Sequence, residues 1–178
     1  MAVSRPLTRI EISKEYLHFN SGHFTIFSQT DREDLHGHTF YVKALIDSPV
    51  DNTGLAFDYN LVKARLKALC DQIDEKILLP ERSPFLTLSE AEGYLIASFA
   101  NERLPFLPRD VITLPVANIT VEELAPWFLE ALLEEPAIAD LNLPRVEVSV
   151  SSGPGQWASA VLSNEAASAQ VSNNPAKE

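Results

Sequence analysis

The chain has 178 residues, 46% of them hydrophobic and 22% charged, the composition of an ordinary globular domain large enough to bury its own core. A formal net charge of -11 and a pI near 4.8 exclude a nucleic-acid surface, which depends on clustered Lys and Arg. No apolar run approaches the roughly 20 residues of a membrane span, and the single Cys70 excludes an intramolecular disulfide.

The start, MAVSRPLTRIEISKEY, has no apolar h-region behind its positive charges, so a reducing, cytoplasmic setting is expected. Residues 7–24, LTRIEISKEYLHFNSGHF, alternate apolar and polar over much of their length, and FYVKALI does so less cleanly. Both read as strands. Between them SQTDRED is too short for a crossover helix, which predicts an antiparallel pair.

After the turn-rich DSPVDNTG comes FDYNLVKARLKALCDQIDEKILLP, with Val62, Leu66, Leu69 and Ile73 at helical spacing. Asp58 is expected to cap this helix, and the prolines of LLPERSP to end it. Residues 94–115 read as two short strands around a Pro-containing turn. A second helix, TVEELAPWFLEALLEE, opens with Thr120 and Glu123 in capping-box spacing and lines Val121, Leu124, Phe128 and Leu132 on one face. Pro126 removes a hydrogen bond inside it. RVEVSVSSGPGQWASAVL then reads as a hairpin. The order predicts one α+β domain over residues 1–162, an antiparallel sheet with helices on one face, and a disordered tail over 163–178.

His36 and His38, at i and i+2 on a strand, share a face. His23 ends the preceding strand, where antiparallel pairing can set it opposite them. Three neutral imidazoles on one face are a zinc donor set, with a fourth position left for water or substrate. The plainer reading is a polar strand edge closing a turn. His18 has the opposite parity from His23 and reads as an ordinary surface or half-buried histidine.

FNSGHF, LHGHTFYVKALI, GLAFDYNLVKARLKAL and NITVEELAPWFLEAL, in this order, resemble the 6-pyruvoyltetrahydropterin synthase and 6-carboxytetrahydropterin synthase family over residues 10–162. The resemblance implies zinc on His23, His36 and His38. It also implies the tunnelling fold, a four-stranded antiparallel sheet with two helices that assembles as a homo-oligomeric barrel, trimer or hexamer, with sites between subunits. The implied substrate is 7,8-dihydroneopterin triphosphate or a related pterin, from which triphosphate is eliminated or a carbon fragment cleaved.

Three positions depart from that pattern. The family's cysteine, in some members a glutamate, precedes His-Gly-His by four residues; here Arg32 stands there, with Glu33 and Asp31 beside it, and Cys70 lies in the predicted helix. The Asp-His relay pair becomes Asp74 and Glu75. The pterin-anchoring glutamate falls at Ser151 or Ser152, so that Glu122 or Glu147 would have to reach in or the ligand must differ. Thr120 contacts pterin by analogy, or simply caps its helix. Arg32, Lys43 and Arg82 are candidate phosphate contacts, or ordinary surface.

Three functions compete. One is a zinc lyase using Glu33, Asp74 and Glu75. Another is a zinc-retaining paralogue acting as a ligand-binding or regulatory subunit, able to co-assemble with an active relative. The third is a structural zinc fold, disfavoured because structural zinc sites are normally closed by four protein ligands.

Overall fold

The structure, a computed structural model, describes residues 6–164. β1 (Thr8–Ile12) and β2 (His18–His23) lie end to end along the thirteen-residue β3 (His36–Ser48), both antiparallel to it. The stretch predicted as one strand is therefore two. A turn closed by the Leu17 amide on the Lys14 carbonyl at 2.9 Å separates them.

Helix α1 (Asn60–Ile73) buries Val62, Leu66, Leu69 and Ile73, as their spacing predicts. It stops at Ile73 rather than at the prolines, and residues 76–80 become a strand. Asp58 is not its cap: the N-cap is Tyr59, and the Asp58 carboxylate accepts from the Asn60 amide at 3.0 Å.

Strand β4 (Lys76–Pro80) runs parallel to β2, and three strands follow in a separate meander: β5 (Leu86–Ala91), β6 (Tyr94–Phe99) and β7 (Glu102–Phe106). A short 3-10 turn at Pro108–Asp110 leads into β8 (Val111–Leu114), parallel to β4. Then come α2 (Val121–Leu133), the one-turn α3 (Pro136–Ala139), β9 (Arg145–Ser151) and β10 (Ala158–Ser163).

The main sheet is ordered β10-β9-β3-β2-β4-β8, with β1 also on β3. Its antiparallel part, β10-β9-β3-β2, is the expected four-stranded sheet of the tunnelling fold. The full strand count is larger, because β4 and β8 extend the sheet in parallel and the meander adds a second sheet. The β5–β6 turn explains part of the miss: Glu92 and Gly93 have φ of 54° and 81°, a hairpin turn carried by a Glu-Gly pair rather than the stronger Asn-Gly or Asp-Gly signal.

Both helices cover one face. Phe19 and Phe40 stack at 4.8 Å, Phe128 of α2 meets Phe19 at 5.8 Å, and Val42, Ala44 and Ile46 of β3 share this core with Val146, Val148 and Val150 of β9. Each phenylalanine so buried contributes roughly 1.5–3 kcal/mol relative to exposure. A second, smaller core of Phe24, Ile26, Leu79, Leu86, Ala97, Phe99 and Val111 packs the meander against the residues that follow β2.

Pro126 is accommodated within α2. Thr120 is the N-cap but makes no side-chain cap bond, and Glu123 accepts from the Ala117 amide at 3.0 Å, so the capping box does not form. The Asn164 amide bonds the Pro144 carbonyl at 2.8 Å. The rest of the expected tail lies outside the described residues. Among the described residues no helix is long and apolar enough to cross a membrane.

Candidate metal centre

The β2–β3 register sets His23 directly opposite His36 and Ser21 opposite His38. Ring centroids are 4.7 Å apart for His23 and His36, 4.8 Å for His36 and His38, and 5.3 Å for His23 and His38. Phe40 closes the cluster from below, edge-on to His23 and His38 at 5.4 and 5.7 Å. The face-sharing expected of the trio is met.

Backbone carbonyls select the tautomers. His23 Nδ1 donates to the Ile119 carbonyl at 2.9 Å and His36 Nδ1 to the Asp34 carbonyl at 2.8 Å. Each Nε2 then carries its lone pair toward the cluster, the arrangement that metal-ligating histidines adopt. His23 is 5% exposed, and its Nε2 is buried with no hydrogen-bond partner. Burial pushes its pKa down to about 4, so the ring is neutral at physiological pH.

His36 Nε2 and His38 Nε2 lie 2.9 Å apart, and one ligand nitrogen from each of the three rings lies within 4.8 Å of the others. Tetrahedral zinc at about 2.0–2.1 Å from each nitrogen needs them about 3.3 Å apart. The His36–His38 pair is slightly closer than that, and the 4.8 Å limit on the remaining spacings leaves room for it. An orphaned buried nitrogen converging with two further imidazole nitrogens is a donor set that fits a metal ion.

Glu33 stands beside this centre. Its Oε2 lies 3.9 Å from His36 Nε2 and accepts from the Thr25 amide at 2.9 Å, while its own amide donates to the Thr25 carbonyl at 2.9 Å. Partial burial alone would raise its pKa, but the Thr25 amide and the nearby imidazoles outweigh that and hold it below the ordinary carboxylate value. Asn118 fixes the same loop, bonding the Ile26 amide at 3.1 Å and the Ile26 carbonyl at 2.8 Å.

The other expected residues divide. Arg32 does not face the centre: its guanidinium meets Glu102 at 2.5 and 2.9 Å and stacks over Phe24 and Phe99 at 4.9 and 5.8 Å. Lys43 lies over the Trp157 ring at 4.4 Å, and Arg82 is exposed. Cys70 is buried in α1 and its thiol is pushed up to about 12, so it supplies no thiolate. His18 bonds the Glu15 carbonyl at 2.8 Å, away from the trio.

Asp74 follows α1 and accepts from the Asn20 amide at 2.7 Å and the Asn20 side chain at 3.3 Å. Glu75 adopts φ 57° and lines an open cleft of about 820 Å³ with Asn20, His38, Thr39, Tyr94 and Phe106. Thr120 adjoins Ile119, the residue that holds His23. Ser151 is buried and closes on Gly153, Ser152 accepts from Gln156 at 3.0 Å, and neither offers a carboxylate. Glu147 is paired with Arg145 at 2.5 Å and Glu122 is exposed.

Sequence reasoning missed Ile119, Asp34 and Thr25, which act through backbone groups and so leave no side-chain signature. It also missed Glu102: the short strands expected over residues 94–115 are present as β6, β7 and β8, but β5 and the meander it forms with β6 and β7 were not foreseen.

Residues 11–161 match the sequence model of the 6-pyruvoyl tetrahydropterin synthase family. A Pyrococcus abyssi protein bearing the provisional name 6-carboxy-5,6,7,8-tetrahydropterin synthase is 31% identical over 156 residues, covering 86% of this chain and 90% of its own. A Methanocaldococcus jannaschii protein with the same provisional name is 28% identical over 144 residues, 80% of this chain and 88% of its own. The crystal structure of 6-pyruvoyl tetrahydropterin synthase from Plasmodium vivax superposes with a TM-score of 0.83 at 26% identity, covering 89% of this chain and 99% of that one. The Plasmodium falciparum counterpart gives 0.84 at 26%, covering 90% and 100%. The P. vivax protein is also solved as variants at a glutamate described as catalytic. With this sequence match running from β1 into β10, and with solved relatives of the same architecture, the chain belongs to the 6-pyruvoyl tetrahydropterin synthase family.

Proposed function

We propose that the protein is a zinc-dependent lyase of the tetrahydropterin synthase type, acting on 7,8-dihydroneopterin triphosphate or a related pterin. The observation that carries this reading is the convergence of His23, His36 and His38, one ligand nitrogen from each within 4.8 Å, beside an ionised Glu33 at 3.9 Å. Zinc bound there would act as a Lewis acid, lowering the pKa of substrate hydroxyls and stabilising enolate character beside a carbonyl.

The chain's own groups do the rest. The carbonyls of Ile119 and Asp34 keep two imidazoles in the ligating tautomer. Glu33, held unprotonated by the Thr25 amide, removes a proton from the substrate side chain as general base and returns it as general acid. That a glutamate is called catalytic in the P. vivax relative supports giving a carboxylate this task. Asp74, engaged with Asn20, positions the middle of β2, and Glu75, open to the cleft, is the second proton carrier. Thr120, Ser151 and Ser152 are the polar contacts proposed for the ring. The occupant is a small pterin-like molecule and the working form a homo-oligomer, in which a neighbouring copy can complete the pocket.

A second reading has its own support. Ser151 and Ser152 bond within their own turn, and no carboxylate stands in their place to read a pterin amino group. Under this reading the chain keeps zinc and serves as a ligand-binding or regulatory subunit, alone or beside an active relative. Zinc-loaded protein incubated with dihydroneopterin triphosphate separates the two: metal-dependent product supports the lyase. Failure to convert this or any related pterin, with zinc bound, removes it.

A further inference from the structure

The meander β5–β7 carries no ligand of the metal centre, yet its β6–β7 end reaches the loop that bears Glu33. The Arg32 side chain, only 14% exposed, makes that connection. Its Nε and Nη2 donate to Oε2 of Glu102, at the start of β7, at 2.9 and 2.5 Å. Its Nη1 donates to the main-chain carbonyl of Glu33 at 2.7 Å. The guanidinium plane lies over Phe24, just after β2, and Phe99, at the end of β6. One planar cation thus joins the meander, the end of β2 and the backbone of the acidic residue. A lysine, with a single point charge on a flexible stem, cannot satisfy this fork of contacts.

We propose that Arg32 is a positioning residue for Glu33, and that the β6–β7 end of the meander serves as the buttress against which it holds the carboxylate beside His36. The inference rests on the assignment of Glu33 as the proton-transferring group. It gives the residue at the family's cysteine position a role that is neither nucleophile nor phosphate contact. The loop's backbone closes at Thr25–Glu33 and at the Ile26–Arg32 bridge, Asn118 holds Ile26, and the Arg32 fork is the side-chain tether that ties this hairpin to the meander on its far side. Without it the Glu33 backbone is released on that side and its carboxylate samples positions away from His36.

Two measurements on the full chain test this. Residue-resolved amide exchange compares wild type with Glu102→Gln, which keeps side-chain shape at an exposed position, and with Arg32→Lys. The expected result is about tenfold faster exchange at the Thr25 and Glu33 amides, which close on each other's residues, with α1 and β9 unchanged and zinc still bound. Unchanged protection at both amides in both variants overturns the proposal, whatever the substrate. In turnover, Arg32→Lys is expected to lower kcat by about 10- to 100-fold with KM nearly constant. The same change on a Glu33→Gln background should lower kcat no further, since the group being positioned is gone. Losses that multiply instead assign Arg32 a general structural role and overturn it. If no pterin is converted by wild type, the lyase reading fails while the exchange experiment still decides the tether.

Discussion

The trio of histidines and the carboxylate 3.9 Å from it are close neighbours, but they are held by different means. His23, His36 and His38 stand on two strands whose ladder fixes them in register, over a stacked Phe19–Phe40 floor. Glu33 stands on a loop with a single Ile26–Arg32 backbone bridge, held otherwise by individual contacts: Asn118, Thr25, the Arg32 side chain and, behind it, Glu102. A ladder distributes its support over many backbone bonds, so one substitution there removes a ligand without moving the others. A loop held by a few point contacts transmits the loss of any one of them to the group it carries.

The sharpest way to break this contrast is on the ladder side. His38→Ala is expected to lose metal and at least about 1000-fold in activity, while the sheet and its unfolding transition remain. Metal content by plasma mass spectrometry and circular dichroism check this, and retention of full zinc occupancy would contradict it. On the loop side, Glu33→Gln is expected to lower kcat by roughly 100- to 10,000-fold with zinc retained, because only proton transfer is removed. Steady-state kinetics alongside metal analysis separate the two variants.

Removing the floor instead of the ligands acts on stability. Phe40→Ala leaves a cavity between Phe19, His23 and His38 and should cost about 3–5 kcal/mol, read as a lower midpoint in urea unfolding. The smallest effect lies far from the centre, where Arg9 bonds Asp47 at 2.7 and 2.8 Å and holds that carboxyl below its ordinary value. A depressed carboxyl stabilises the fold above its unfolded pKa and stops doing so as pH falls through the folded one. Wild type should therefore lose its small advantage over Asp47→Asn as pH is lowered below about 4. A difference that persisted unchanged at low pH would contradict the linkage.

How much of this was legible in the sequence follows the same division. Strand alternation and helical spacing identified β3, α1, α2 and the β9–β10 hairpin, and the parity of His36 and His38 identified the shared face, because these are periodic signals along one segment. The break between β1 and β2 was hidden, since both halves alternate with similar character. Residues 76–80 read as a continuation of α1 because KILLP, short and buried on both faces at Leu78 and Leu79, has no period that separates helix from strand. The capping box at Thr120 and Glu123 was a correct spacing with the wrong partner, as the carboxylate found the Ala117 amide first. The tautomer-setting carbonyls of Ile119 and Asp34, remote or mute in sequence, belong to the tertiary structure alone. Arg32 reads as a missing cysteine from sequence and as a clamp in the fold, because Glu102 and Phe99 reach it only once the meander is in place.

The most direct test of the central claim is zinc-edge X-ray absorption on the full chain purified without chelator. Three imidazole nitrogens at about 2.0–2.1 Å and an oxygen from solvent in the remaining position are expected. A shell closed by four protein donors, or protein that retains no transition metal, would contradict it.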